Sequence, residues 1–261
     1  MSGDRQAGIV GRLMRAALER AGGVRVLEAR VGMFWTAVRT TAGTGLASSL
    51  RNEPHRHGDL PVRWAGSLAG RPAADLVGLL GSESFAESVV ALAAINSILG
   101  PGAASAPPVN ALEVIRRKGE GRRVAVLGHF PFVDRLRDEC GELLVFERGL
   151  GLREGDIPVD RLPELLPGAD VVAVTATTLL NGSLGEVLDL VPSGTFTVML
   201  GPSTPLEPAL LEEGFDMLCG TVVEDQDAVL RVAGEGGVTR QIPGVRRVCL
   251  GPRDRGLRAG R

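Results

Sequence analysis

Val124-Ala-Val-Leu127-Gly128-His129-Phe130-Pro131 decides the fold: an apolar run, a glycine, a polar residue, then a proline suited to the first turn of a helix. The run does not alternate apolar with polar, so it reads as a strand covered on both faces. The same kind of run returns at Leu143–Phe146, Val171–Val174, Thr195–Leu200 and Met217–Cys219. Helical or polar segments at 131–139, 160–166, 181–191, 206–213 and 225–234 separate these runs. Repeated strand-then-helix order specifies a parallel sheet with crossover helices, so an α/β, Rossmann-like doubly wound sheet is expected from about Arg122. Val245–Leu250 adds a last strand.

Towards the N-terminus the pattern changes. Arg116-Arg-Lys118-Gly-Glu-Gly-Arg-Arg123 is a charged stretch that reads as an exposed linker. Before it, 109–118, 84–99 and 73–80 read as helices, and Val24–Val31, Met33–Thr40 and the segment from Gly43 read as strands. Ile9, Val10, Leu13, Met14 and Ala17 fall at helical spacing in 4–21, which Gly22-Gly23 ends. Two domains and a tail are expected: a smaller α+β domain at 1–108, a Rossmann-like ligand-binding domain at 109–251, and a frayed basic tail at 252–261.

Composition removes several classes of function. With 44% hydrophobic and 23% charged residues the chain can bury a core. Net charge is −2 and no basic run carries aromatics, so nucleic acid is not an expected partner. The charged start lacks a signal-peptide core, and no run of about 18 apolar residues suggests a membrane helix. A cytoplasmic location with no membrane partner is expected. Cys140, Cys219 and Cys249 are odd in number, distant and without a C-x-x-C pair, so reduced thiols are expected rather than a disulfide or structural zinc. Tyr is absent and Lys118 is the single Lys, which excludes a Tyr/Lys dehydrogenase pair and leaves Schiff-base chemistry to one exposed side chain.

In an open parallel sheet, ligands meet the loops at strand C-terminal ends. The first such loop, Gly128-His129-Phe130-Pro131, stands where a dinucleotide fingerprint would but lacks G-x-G-x-x-G, so a standard NAD or FAD cofactor is not expected. Glu147 stands 19 residues after Gly128, the spacing of an acidic residue that meets ribose hydroxyls, or else it is solvated surface. Thr175-Ala-Thr177-Thr178-Leu-Leu-Asn181-Gly182 clusters hydroxyls and an amide that could bind a ligand or cap helices. Gly201-Pro202-Ser203-Thr204-Pro205 could bind a polar ligand or form a rigid turn that caps 206–213. His129 could be an acid/base, a metal ligand or an orienter of its loop. His55 and His57 form an H-x-H that reads as incidental loop histidines.

These motifs carry a family resemblance. Gly128-His-Phe-Pro, Glu147 followed by Arg153-Glu-Gly-Asp156-Ile-Pro158, Leu166-Pro-Gly-Ala-Asp170, Thr175 to Gly182, Gly201-Pro-Ser-Thr-Pro205 and Gly220-Thr-Val-Val resemble, in order, the putative heavy-metal chelation family over about 110–250. The first half is similar to that family's enolase-N-terminal-like partner domain, through Thr36-Ala-Val, Gly43 to Gly45 and Ala93-Ala-Ile-Asn96. The resemblance implies a ligand cleft between the two domains, lined by the loops of the second. It implies a role in metal chelation through a small chelating molecule, and no established reaction.

Three readings follow. In the first, the cleft binds a small polar, heterocyclic or metal-chelating metabolite through Gly128, His129, Phe130, Pro131, Glu147, Thr177, Asn181, Gly201, Pro202, Ser203 and Thr204. In the second, the chain is a transferase or lyase whose catalytic residues are His129 and Glu147. In the third, His129, Glu147 and Asp156 converge on a cation. Assembly stays open: symmetric dimers are the commonest oligomers, and the strand-bearing first region could supply an interface.

Overall fold

The computed structural model describes residues 2–49 and 60–251, so the His55-x-His57 motif and the basic tail lie outside the described residues. A 19-residue helix, α1 (Ser2–Arg20), leads into an antiparallel meander of β1 (Val26–Val31), β2 (Trp35–Thr40) and β3 (Thr44–Ser48). Helices α2 (Ala73–Val77), α3 (Phe85–Leu99) and α4 (Ala111–Gly119) follow. Then come β4 (Arg123–Leu127), α5 (Val133–Arg137), β5 (Glu142–Glu147), β6 (Ile157–Pro158), α6 (Leu162–Leu165) and β7 (Val171–Thr175). The last elements are α7 (Thr177–Leu180), α8 (Leu184–Leu190), β8 (Phe196–Leu200), β9 (Met217–Val223), α9 (Gln226–Gly234) and β10 (Val245–Leu250).

The second group of strands forms one sheet in the order β10-β9-β8-β7-β4-β5-β6. All its neighbours are parallel except β10, which runs antiparallel to β9 at one edge. The chain therefore winds outward twice from the centre, through β5 and β6 on one side and β7 to β9 on the other. This is the expected Rossmann-like α/β architecture, and it puts the reversal of strand order between β4 and β7.

Strand pleating divides the apolar residues between two layers. Val124 and Val126 of β4 join Val114 and Ile115 of α4 and Val133 and Leu136 of α5 on one face. Ala125 and Leu127 face the other way, into a core shared with α1, α3, α7 and α8. Ile9, Leu13 and Ala17 on one stripe of α1 are fully buried in that core. Ion pairs of Arg5 with Asp189, Arg12 with Glu213 and Arg20 with Glu207 pin the polar flank of α1 to the second half. The first half thus supplies one wall of the second half's core.

The meander is a two-faced layer. Trp35, Ala37 and Leu46 pack on Val229, Leu230 and Ala233 of α9, while Val38 and Ala47 join the α3 core. Gly45 allows the closest approach: a Cβ there would lie 2.2 Å from the Ala93 carbonyl oxygen and 2.3 Å from the Ser97 nitrogen. A segment apolar enough to span a membrane, which the sequence was not expected to hold, does occur at Phe85–Ala103. Ser88, Asn96 and Ser97 interrupt its apolar run, and the fold buries it: every residue from Glu87 to Leu99 is buried between meander and sheet. A helix apolar on all sides is a core helix when protein surrounds it.

Glu87 on α3 is buried with compensation. Its carboxylate accepts from the Arg63 backbone N–H (2.8 Å), from Arg63 Nε (2.6 Å) and Nη2 (2.7 Å), and from Ser82 Oγ (2.6 Å). Those bonds, the Arg63 side chain first, outweigh burial and hold the carboxyl at about 2.

The expectation of three reduced thiols needs correction. Cys219 and Cys249 are register partners on β9 and β10, with Cα atoms 4.1 Å apart, and are joined as a disulfide; Cys140 alone is free. Their separation of 30 residues says nothing about proximity once an antiparallel pair forms.

Candidate functional site

The site is built where the strand order reverses. β4 ends at Leu127, and Gly128 turns the chain with φ +96, a left-handed conformation that glycine adopts without strain. Its nitrogen donates to the Phe146 carbonyl (2.8 Å), and a Cβ there would press on Thr175 of β7 at 3.3 Å. The glycine therefore serves both the turn and the close approach of the two central loops.

Glu147, the last residue of β5, reaches back to that turn. One carboxylate oxygen accepts the His129 backbone N–H (2.9 Å) and the other accepts the Arg148 N–H (2.8 Å). It ties the turn after β4 to the end of β5. The partner of the His129 ring is Asp156, just ahead of β6: Nδ1 lies 3.1 Å from each carboxylate oxygen. Asp156 Oδ2 also accepts the Arg153 N–H (2.9 Å). The side-chain exposure is 11% for His129 and 0% for Asp156.

An ionised carboxylate only accepts, so it holds neutral His129 in the tautomer with hydrogen on Nδ1. Nε2 then keeps a lone pair, with no partner among the described residues. His129 lines a cleft of ≈ 230 Å³ between the β4, β5 and β7 loops, floored by Leu127, Phe146, Leu162 and Val187. Phe130 forms part of the wall and stacks on Phe132, with ring centroids 5.2 Å apart.

The opposite rim is the β7 loop. Thr175 and Thr177 share a hydroxyl–hydroxyl bond (3.1 Å), and Thr178 Oγ1 donates to the Thr175 carbonyl (2.7 Å). Asn181 Oδ1 accepts from Ser183 N (3.1 Å) and Ser183 Oγ (2.6 Å), which prepares the start of α8. That is the capping role; the Asn181 amide nitrogen has no partner among the described residues, and the residue lines the cleft.

The structure brings together Gly128, His129, Phe130, Glu147, Thr177 and Asn181. Pro131 is exposed outside the lining, because α5 starts two residues later than the proline suggests. Gly201 to Thr204 lie elsewhere. Ser203 is buried, its Oγ accepts the Ser48 N–H (2.8 Å) of β3, and its carbonyl accepts Asn96 Nδ2 (3.0 Å) of α3. Thr204 is buried with its hydroxyl unpartnered among the described residues, and Pro202 lines a separate groove at the β9–β10 edge. The described residues lining the switch-point cleft all come from the second half, whereas the resemblance implied a cleft between the halves.

Among the wider grooves, one of ≈ 650 Å³ lies beside Arg240, Arg246 and Arg247, and another of ≈ 780 Å³ around Arg122, Asp170 and Thr195. The second opens at the strand N-terminal ends, and neither holds a polar side chain oriented by a buried charge as His129 is. Ser183 was not foreseen in the site, and the direct Asp156–His129 bond replaces the shared cation through which the third reading had joined those residues. β6 is two residues long, too short to register as a strand that would place Asp156 beside β5.

Direct metal coordination does not fit these groups. The Glu147 oxygens accept backbone N–H, those of Asp156 accept from His129 and Arg153, and no group of three metal-ligating side chains occurs among the described residues. Family comparison bears on the same region. A family model described as "Putative heavy-metal chelation" matches residues 110–249, more than half of the chain, and a second model with the same description matches 14–99. The chain belongs to this family.

Two solved structures from the DUF364 family, both titled as proteins of unknown function, share the fold. One from Desulfitobacterium hafniense has a TM-score of 0.76 at 24% identity, over 92% of this chain and 98% of that one. One from Pyrococcus horikoshii has a TM-score of 0.80 at 21% identity, over 93% and 99%. An uncharacterized protein of Methanocaldococcus jannaschii is 30% identical over 125 residues, 46% of this chain. The match spans about half the length of that curated relative, 48%.

Proposed function

We propose that this chain binds a small polar metabolite, with a heterocyclic or metal-chelating group, in the cleft between the β4 and β7 loops. The observation that carries the reading is the buried Asp156 carboxylate behind His129, which presents an Nε2 lone pair to a cleft otherwise rimmed by hydroxyls and an amide. Such a rim suits an O–H or N–H donor on the ligand, and the apolar floor suits its carbon skeleton. The family description supports a link to metals. That no three metal-ligating side chains converge among the described residues supports a metal that arrives bound to the organic molecule.

A second reading is favoured by the same pair. A carboxylate that orients an imidazole is the arrangement of a general acid/base, so His129 would take a proton from the bound molecule at Nε2, and Asp156 would stabilise the resulting imidazolium. Glu147 is then a positioning residue rather than the partner of His129.

Thermal shift against catechols, N-heterocyclic carboxylates and their metal complexes tests the binding reading. Compounds that stabilise the native chain are expected to lose their effect on His129→Ala and Asn181→Ala and to keep it on Ser203→Ala. Shifts that survive in both cleft variants would overturn the assignment.

A further inference from the structure

β1 is an edge of the three-stranded meander, with β2 on one side and, among the described residues, no strand on the other. The bond from Gly32 N to the Trp35 carbonyl (3.0 Å) sets the phase of the hairpin. With Arg30 opposite Ala37 and Glu28 opposite Arg39, the Arg30 and Glu28 backbones turn towards β2 and those of Ala29 and Val31 turn outward. Outward bonds tie the start of β1 to the segment before α2, where Val26 pairs with Gly70 and Arg71. From Leu27 to Val31 the outer edge carries no such bond among the described residues. Leu27, Val31 and Met33 along it are 50%, 53% and 65% exposed.

Unpaired edges invite another strand, and the sequence of this one says which. Leu27-Glu28-Ala29-Arg30-Val31 is symmetric in hydropathy about Ala29 and opposite in charge at the mirrored positions Glu28 and Arg30, so an antiparallel copy is its charge complement. We infer that β1 pairs antiparallel with β1 of a second copy, about a two-fold axis at Ala29, to join two meanders into one six-stranded sheet. Ala29 then exchanges both backbone bonds with its symmetry mate. Glu28 faces the partner's Arg30, and Arg30 faces the partner's Glu28, in the closer, non-hydrogen-bonded positions. Within one chain Arg30 and Glu28 already meet at 2.5 Å, so two copies create a four-charge cluster of alternating sign. A two-fold axis uses each favourable pairing twice, which is why a short self-complementary strand suffices. An unrelated acidic or basic strand would leave one of the two charges opposed by its own sign.

The test is charge swapping with full-length protein, followed by light scattering after size exclusion and by sedimentation equilibrium, with circular dichroism to verify folding. The native chain is expected to be dimeric. Arg30→Glu, which sets Glu against Glu twice, is expected to weaken dimerisation by at least about tenfold. Glu28→Arg should do the same, and the double variant Glu28→Arg/Arg30→Glu should restore the dimer. A native monomer up to about 1 mM, the weak end of specific association, overturns the inference. So does a dimer indifferent to either single swap, or a folded double variant that stays monomeric.

Discussion

Two strand-end loops of the same sheet, after β4 and after β8, start from similar sequence and end in opposite uses. Gly128-His129 and Gly201-Pro202-Ser203-Thr204 both follow a buried strand with a left-handed glycine, φ +96 and +117. In the β8 loop Ser203 is spent inside the protein, where it accepts from Ser48 and from Asn96, and Thr204 is buried away from the switch-point cleft. In the β4 loop the polar groups are fixed from behind: Glu147 takes the backbone N–H, Asp156 takes Nδ1, and the far ring nitrogen stays free. A latch consumes its hydrogen-bonding capacity, and a site holds some in reserve. Neither a glycine nor a hydroxyl in the sequence distinguishes the two; the position of the loop relative to the reversal of strand order does.

The largest effect should come from breaking the latch. Asn96 Nδ2 donates to both the Leu46 and the Ser203 carbonyl, and Asn96→Ala leaves two buried acceptors bare. A loss of about 2–4 kcal/mol in urea denaturation is expected, with the ligand response of the switch-point cleft unchanged. A loss under about 0.5 kcal/mol, the range of an ordinary surface change, would contradict the latch.

Glu87 sharpens the contrast, because there a buried charge is fully consumed. Its folded carboxyl lies at about 2 against an ordinary value of 4.5. A depressed value stabilises the folded state above the ordinary range, so the contribution is whole above pH 4.5 and disappears as pH falls towards 2. Glu87→Gln should cost about 2 kcal/mol at neutral pH, by the worth of hydrogen bonds to a charged group, and the gap to native protein should close in acid. A gap independent of pH would assign the loss to packing.

Smallest in stability, but most telling for the site, is Asp156→Asn. Its cost should be within about 1 kcal/mol, the net worth of one hydrogen bond, since the amide can still accept from His129. The imidazole should change more: nitrogen NMR of native protein should find His129 with hydrogen on Nδ1, and the Asn variant should mix the two tautomers. An unaltered tautomer would remove Asp156 from its orienting role.

Much of the fold was legible because buried parallel strands carry a loud signal. The runs 124–127, 171–174 and 195–200 lie within one residue of β4, β7 and β8. His129, Glu147 and Asn181 were legible because they end those strands or follow them. What escaped was set by pairing between distant segments. The two-residue β6 that follows Asp156 has no periodicity to read, and the Cys219–Cys249 pairing exists only through antiparallel register. Ser203 looked like a ligand group because its acceptor role is decided by Ser48, 155 residues away.

On the proposed function, ligands enter at the β4–β7 reversal and not at the β8 loop. Backbone amide NMR during titration with a panel of catechols and N-heterocyclic carboxylates tests it most directly. Shifts concentrated at Gly128, His129, Arg148, Thr177 and Ser183, and abolished by His129→Ala, are predicted. Shifts concentrated instead at Gly201, Ser203 and Thr204, or along Arg240 and Arg247, would contradict the account.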